Sequence, residues 1–379
     1  MTLPDSCVLL FWFSLGLLIY TFLGYPLVMH SLARLTPERR RPVPPTQWPT
    51  VSVVLVVGNE EQRITPRLQN LLASDYPADR LEILVVTDGS TDATAARVRE
   101  LGEARVKLVP RPERAGKSAG LNAGIPLAGG EIVVLCDARQ SFAPGTIRAL
   151  AGNFSDPAVG AVSGELFIDP AASGVGAGVD LYWRLEKMIR TAEARRDSCI
   201  GCTGAVYALR RALFTPIAPD TILDDVVIPM QIAVAGHRVL YDTAAPAYDP
   251  QALEPARERG RKQRTLAGNF QMLFRHPVWL LPWRNRLWWQ LLSHKYLRIA
   301  APLTLAVIFS SNLALVHAPI YRALCAGQCL FYGLAAAGLA VPSLRVRVVS
   351  LPAGFVFLNL MTVGGCWNWL RGAYTGGRW

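Results

Sequence analysis

Residues Glu131 to Arg139 read EIVVLCDAR, and this stretch decides the fold. An apolar run rich in β-branched residues, Ile132 to Cys136, follows the pair Gly129-Gly130 and stops at an acid, Asp137. A short apolar run between glycines and a polar cluster predicts a strand buried on both faces, as parallel strands are. Its last residue then emerges at the carboxyl edge of the sheet, where open α/β folds bind ligands. Asp137 is therefore the first candidate site residue. The alternative is an Asp that caps the next helix.

Two earlier stretches repeat the pattern. Thr50 to Val57 predicts a buried strand ending in Gly58-Asn59-Glu60-Glu61, and Thr65 to Ala73 has helical spacing. After the turn Asp75-Tyr76-Pro77, Glu82 to Thr87 predicts a second strand, ending in Asp88-Gly89-Ser90-Thr91-Asp92. Ser90 or Thr91 is expected to cap the helix that begins beside Asp92. Strands alternating with helices imply a parallel, doubly wound sheet.

Acids at three neighbouring strand ends repel one another unless something cationic or hydrogen-bonding joins them. A ligand with hydroxyls and ring nitrogens, together with a divalent cation, would do so. Between the second and third acids lies Arg114-Ala115-Gly116-Lys117-Ser118-Ala119-Gly120-Leu121-Asn122. It lacks the Walker spacing but offers flexible backbone and a cation to a phosphate. Taken alone it also reads as a solvated loop.

Beyond Asp137, Gly160 to Phe167 predicts another strand, and a helix from about Val179 to Ala194 carries Trp183, Glu186 and Glu193. The Arg residues at 184, 190, 195 and 196 suit either an acceptor path or an ordinary solvated face. In Ile222 to Ile228 two carboxylates, Asp224 and Asp225, stand inside an apolar run, where an ionised group must be partnered or used. Leu223 and Val226 at helical spacing suggest a helix start with Asp224 as cap and Asp225 turned toward the cleft. The basic run at 257, 259, 261, 262 and 264 reads by default as a juxtamembrane patch.

The two ends have a different character. No Asp, Glu, Lys or Arg occurs between Asp5 and Arg34, a length that spans a bilayer as a helix and exceeds a signal-peptide core. Arg34, Arg39, Arg40 and Arg41 follow, which places the next domain in the cytoplasm. A Pro-rich connector, Pro42 to Pro49, separates the two. At the other end, 279–298 mixes Trp with Arg and Lys and predicts an interfacial amphipathic helix. Three apolar stretches follow, near 299–318, 321–341 and 348–370. Arg371 and Arg378 argue for an inside tail, and Gly364-Gly365 would allow a broken or re-entrant last segment.

A hydrophobic share of 51% and a mean hydropathy of +0.25 exceed those of ordinary soluble proteins, yet the middle of the chain is charged. A soluble domain bracketed by membrane segments results. The net charge of +11 concentrates beside the apolar segments and brings no reading motif with it, so no nucleic-acid partner is expected. Seven scattered Cys describe no disulfide framework, and the Cys199-Cys202 pair reads as two small half-buried residues.

The ordered set of Asn59-Glu60-Glu61, Asp88 to Asp92, Gly116-Lys117 to Asn122 and Asp137 resembles the nucleotide-sugar-binding half of the family 2 glycosyltransferases, which have the GT-A fold. Tyr25-Pro26, Tyr182-Trp183 with Glu186 and Glu193, Gly204 before Tyr207, Asp224-Asp225 and Arg261-Lys262-Gln263-Arg264 are similar to the membrane-bound polysaccharide synthases of that family. The resemblance implies a GT-A-type doubly wound mixed sheet domain at 37–278. It would lie between a transmembrane helix at 1–36, the interfacial helix at 279–298 and membrane helices at 299–379.

It implies roles as well. Glu60 or Glu61 and Asp88 would hold the nucleoside, Lys117 and Arg264 the diphosphate, and Asp225, next to Asp224, would be the catalytic base. Gly204, Trp183 and Glu186 would face the acceptor. Asp137 would carry a magnesium or manganese ion, although the family's second acid is here Arg139, and the family's Q-x-x-R-W appears with Arg261 and Thr265 at its ends. The implied protein is a multi-pass inner-membrane enzyme in contact with membrane lipids. It would move sugar from a nucleotide-sugar, a UDP-sugar foremost, to a glycan or lipid-linked acceptor, with a partner subunit for export as an option. The competing readings are a single-sugar transferase to a polyprenyl-linked acceptor and a non-catalytic nucleotide-sugar-binding membrane protein.

Overall fold

The computed structural model describes residues 3–37, 47–168, 177–249, 255–341 and 346–374. Arg39 to Arg41, the start of the Pro-rich connector and Arg378 lie outside the described residues.

Helix α1 (Leu3–Ile19) passes through a π-helical turn (Tyr20–Gly24) into α2 (Tyr25–Leu35). The chain then builds one mixed sheet. Its strands are β1 (Val51–Val57), β2 (Leu81–Asp88), β3 (Val106–Arg111), β4 (Ile132–Cys136), β5 (Ser141–Phe142), β6 (Val159–Ile168), β7 (Val206–Arg210) and β8 (Arg238–Asp249). Their spatial order is β3-β2-β1-β4-β7-β6-β8-β5. β4 lies between β1, parallel to it, and β7, antiparallel to it, and every one of its residues is buried. The opening stretch is thus the central strand it was read to be, and Asp137 follows at its carboxyl edge. The strands at β3, β5, β7 and β8 carried no signal as clean: β3 alternates between half-buried and exposed, and β8 is partly exposed and interrupted by Pro246.

Helices cover both faces of the sheet. α3 (Ile64–Leu72), α4 (Thr94–Glu100) and α6 (Thr146–Gly152) supply Ile64, Leu68, Val98 and Ile147 to the core that includes Val53, Leu55, Ile83 and Val134. α5 (Lys117–Gly124) and α8 (Asp224–Val234) supply Leu121, Val227 and Met230 to the opposite core, with Val54, Leu84, Val86 and Leu135. The alternation of strand side chains assigns each to its face. α5 can lie this close because a Cβ on Gly120 would stand 2.4 Å from Val56 Cγ1 and one on Gly124 2.6 Å from Val86 Cγ2. Those glycines hold the start of α5, and hence Lys117, against the sheet edge.

Two long helices, α7 (Ala177–Arg196) and α9 (Pro255–Arg275), connect the sheet domain to the apolar helices. The segment read as an interfacial helix divides: a 3₁₀ turn spans Pro277–Leu280, and α10 (Trp288–Gln290) runs through a π-helical turn into α11 (Leu297–Ala314). α12 (Pro319–Ala340) and α13 (Arg347–Leu370) complete the chain. Among the described residues four segments are long and apolar enough to cross a membrane: Asp5–Leu35, Trp288–Ala314, Pro319–Ala340 and Arg347–Leu370. α13 is continuous through Gly364-Gly365, where a helix break was an option. A Cβ on Gly365 would lie 2.7 Å from Leu266 Cβ, so the glycines serve close packing of α13 on α9.

Candidate active site

The loops after β1 and β2 are tied together. Asn59, the one non-glycine residue with positive φ among the described residues, turns the chain after β1, and its Oδ1 accepts from Thr91 N at 2.8 Å. Glu61 N donates to Asp92 Oδ2, and Glu61 Oε2 accepts from Ala93 N. Glu60 pairs with Arg63 at 2.9 Å. Ala93 holds the cap position of α4 without a side-chain bond, and the residue before it, Asp92, accepts from Thr94 N through Oδ1 at 3.0 Å; Ser90 and Thr91, the residues expected to cap, bond to Asn59 instead. The Asp92 carboxylate reaches the free amide of Thr94 and suits the positive end of the helix.

Asp88 is 2% exposed, and both its oxygens are engaged. Oδ1 accepts from Arg111 at 2.8 Å and Ala115 N at 3.0 Å, and Oδ2 from Gly116 N at 2.7 Å. The side chain therefore shapes the loop that presents Lys117. Arg111 was not singled out from sequence, whereas Ala115 and Gly116 belong to the loop that was.

Lys117 is the hub. Its Nζ lies 2.8 Å from Asp137 Oδ1 and 3.5 Å from Asp224 Oδ2. Burial works against its charge, but Asp137, Asp224 and Asp225 outweigh burial and raise its pKa. Burial likewise opposes ionisation of Asp137, and Lys117 overcomes it, holding that carboxyl below its ordinary value. The acid pair behaves oppositely. Burial, with Asp137 nearby, raises Asp224. Asp225 is pushed up to about 6 by burial and by the adjacent Asp224. Asp224 is the first residue of α8, not its cap, and Leu223 holds the cap position without a side-chain bond. Both acids thus occupy the first turn, where the helix dipole favours negative charge.

Gly204 N donates to Asp225 Oδ2 at 3.1 Å. Arg264, on α9, lines the same small pocket as Gly116, Lys117, Asp224 and Tyr374. Lys117, Asp137, Asp224, Asp225, Gly204 and Arg264 therefore converge, although they lie as far apart in the chain as the start of α5 and the middle of α9. Glu60, Glu61 and Asp88 stand at adjoining strand ends with their carboxylates committed to loop contacts. Arg139, at the position of the expected second acid, is ion-paired with buried Asp249 at the end of β8, which also accepts from Gln140 at 3.1 Å.

Trp183 is exposed on α7. Glu186 faces the apolar helices: it accepts from Arg298 at 2.8 Å and meets His294 Nε2 at 3.0 Å. His294 Nδ1 lies 2.9 Å from buried Glu193, which also accepts from Tyr25 at 2.5 Å. This buried chain of polar groups joins α2, α7 and the π-helical turn before α11. Tyr25, Glu186 and Glu193 were singled out from sequence, but His294, a lone His inside an apolar run, was not.

Two carboxylates of the site have oxygens to offer a divalent cation. Asp137 is half-exposed with its second oxygen outside the bond to Lys117, and Asp224 Oδ2 is buried without a hydrogen bond. Such hard oxygen donors fit a magnesium or manganese ion. Among the described residues no group of three or more His, Cys, Asp or Glu forms a full cage, so diphosphate oxygens would complete the coordination.

A mixed sheet with acids and a buried lysine gathered at the carboxyl edge of its parallel strands, set among apolar helices, defines a GT-A-type domain. Residues 52–215 match the family model for glycosyl transferase family 2. It is similar over its length to a solved mannosyltransferase from Pyrobaculum calidifontis in complex with GDP-Man and Mn2+. That likeness has a TM-score of 0.70 and 25% identity, and covers 93% of this chain and 99% of that one. An N-acetylglucosaminyltransferase of Mesorhizobium japonicum is 32% identical over 184 residues, 45% of this chain and 43% of the relative. A poly-beta-1,6-N-acetyl-D-glucosamine synthase of Staphylococcus aureus is 26% identical over 201 residues, 52% and 48% respectively. The chain thus spans less than half the length of these two curated relatives.

Proposed function

We propose that the protein is an inverting glycosyltransferase that moves a sugar from a nucleoside-diphosphate sugar, a UDP-sugar foremost, to a glycan or lipid-linked acceptor at the cytoplasmic face of an inner membrane. The product would belong to cell-surface or extracellular polysaccharide. The observation that carries this reading is the convergence of Asp225 with Lys117, Asp137, Asp224 and Arg264.

In this reading the acceptor hydroxyl lies within hydrogen-bond reach of Asp225, which takes its proton as the oxygen attacks the anomeric carbon. The new carbon–oxygen bond forms while the bond to the diphosphate breaks, and the nucleoside diphosphate leaves with that electron pair. Lys117 and Arg264 hold the diphosphate and oppose its growing charge. The hydrogen bond from Gly204 N fixes one oxygen of Asp225 so that the other faces the acceptor. A magnesium or manganese ion on Asp137 would add Lewis-acid stabilisation of the leaving diphosphate. Asp88 orders the Ala115–Gly116 turn and so positions Lys117.

The C-terminal end bears on topology. Tyr374 lines the pocket of Lys117 and Arg264, so after α11 the chain returns to the side of the catalytic domain. An even number of crossings among α11, α12 and α13 satisfies this, and two of the three cross in our reading.

Purified protein in lipid, given a panel of nucleotide-sugars with labelled sugar, tests the function. Nucleoside diphosphate release coupled to a labelled product supports it; donor binding with no release across the panel supports the non-catalytic alternative. Product length separates a polymerising synthase from a single-sugar transferase.

A further inference from the structure

A cavity of about 240 Å³ opens on the α3 side of the loop that carries Asp137. Gln62, Arg63 and Arg67, at the approach to α3 and in its first turn, line it together with Arg139, Gln140 and Ser141 from the connection between β4 and β5. It shares no lining residue with the pocket of Lys117 and Arg264. Three guanidinium groups border it, and among the described residues no Asp or Glu does.

Two of the three cations are answered by acids: Arg63 pairs with Glu60 and Arg139 with Asp249. Arg67 has no carboxylate partner among the described residues, although it is only 2% exposed. Its Nη1 donates to Asn70 Oδ1 at 2.7 Å and its guanidinium lies 4.2 Å from the centroid of the Phe142 ring, while Nε and Nη2 are buried without a hydrogen-bond partner. Gln140, 3% exposed, gives Nε2 to Asp249 at 3.1 Å and leaves Oε1 equally unpartnered.

A buried cation without a counter-charge is costly, and an amide oxygen and a ring face supply no full negative charge. An anion in the adjoining cavity would. Guanidinium groups match the oxygens of phosphate and carboxylate, and the positive end of α3 acts in the same direction. Gln140 Oε1 is an acceptor, so it calls for a ligand hydroxyl. We propose that this cavity binds the phosphate or carboxylate group of a small hydroxylated ligand, apart from the donor pocket. A nucleotide-sugar does not fit the volume, since pockets that enclose ligands of drug size run to roughly 300–1,000 Å³. Ala138, next to Asp137, also lines the cavity, so an occupant would bear on the loop that presents Asp137. The inference stands apart from the transferase reading, because it concerns binding at a place that the proposed chemistry does not use.

The test uses the full chain in maltoside detergent and phosphate-free buffer of low ionic strength, titrated calorimetrically with inorganic phosphate, glucose 6-phosphate and glucuronate. Saturable binding to one site is expected for glucose 6-phosphate or glucuronate, about tenfold tighter than for inorganic phosphate, and the tighter of the two assigns the oxyanion as phosphate ester or carboxylate. UDP should not displace it. Arg67→Met removes the unanswered cation, and Gln62→Glu adds an acid at an exposed lining position; each should weaken binding about tenfold or more and leave the affinity for UDP unchanged. Arg67→Met should also raise the melting temperature without ligand, because an apolar side chain replaces a buried charge that lacks an acid partner. Absence of saturable heat up to about 10 mM of all three anions, displacement by UDP, inorganic phosphate binding as tightly as both hydroxylated anions, or unchanged affinity in both variants would overturn the proposal. Anion binding in a protein that binds no nucleotide-sugar would count against the transferase reading and leave this site standing.

Discussion

Gly204 N donates to Asp225 Oδ2 at 3.1 Å, and a Cβ added at Gly204 would stand 3.0 Å from that same oxygen. The glycine is both the anchor of the proposed base and the reason the base can sit where it does. Gly204→Ala should displace the carboxylate by a few tenths of an ångström and lower kcat about tenfold, since small misplacements of a reacting group are costly. KM for the nucleotide-sugar should stay near its normal value. Steady-state kinetics with varied donor separate the two.

Asp225→Asn keeps the shape and removes the base. Turnover should fall by roughly 10²- to 10⁴-fold with donor affinity retained, as read by isothermal titration of the nucleotide-sugar beside a turnover assay. Near-normal turnover would remove Asp225 from the mechanism.

Asp225 titrates at about 6 because burial and Asp224 disfavour its charge. A base must be ionised to accept a proton, so kcat should rise with pH up to about 6 and level off above it. The same shift has a stability sign. With its folded pKa above the ordinary carboxyl value, the group binds a proton more readily in the folded state, so its contribution falls as pH rises through that window and stays low above it. Asp225→Asn should therefore raise the melting temperature at neutral pH while abolishing turnover. A lower melting temperature would show that the carboxylate is better compensated than this argument holds.

If Asp137 carries a divalent cation on the diphosphate, excess chelator should abolish sugar transfer, and added manganese or magnesium should restore it. Asp137→Ala should weaken the dependence on metal concentration and also release Lys117 from its 2.8 Å partner. Full activity in chelator would shift the work of charge neutralisation to Lys117 and Arg264.

Gly365→Leu should destabilise the junction of α9 with α13, where the added Cβ would meet Leu266 Cβ at 2.7 Å and Gln263 O at 3.1 Å. A cost of about 1–3 kcal/mol is expected for overpacking of this kind, with a lower melting temperature in detergent. Because α9 also carries Arg264, donor affinity should weaken alongside.

Sequence alone determined the frame of this protein. The apolar run Ile132 to Cys136 read as a buried strand, and the runs at 50–57 and 82–87 repeated the pattern, because burial on both faces demands uninterrupted apolar residues. The apolar segments at both ends were legible for the same reason: a bilayer asks for length and the absence of charge. The acids at Asp137 and Asp224-Asp225 were visible because a carboxylate beside an apolar run is expensive unless used. Tertiary structure decided what these groups touch. That Lys117 bridges Asp137 and Asp224, that Asp88 spends both oxygens on the loop before Lys117, and that Arg139 meets Asp249 across more than a hundred residues are long-range pairings, and neither periodicity nor local propensity encodes partners so distant. The return of Tyr374 to the donor pocket and the Tyr25–Glu193–His294–Glu186 chain have the same origin: each arises only where separately folded segments pack together.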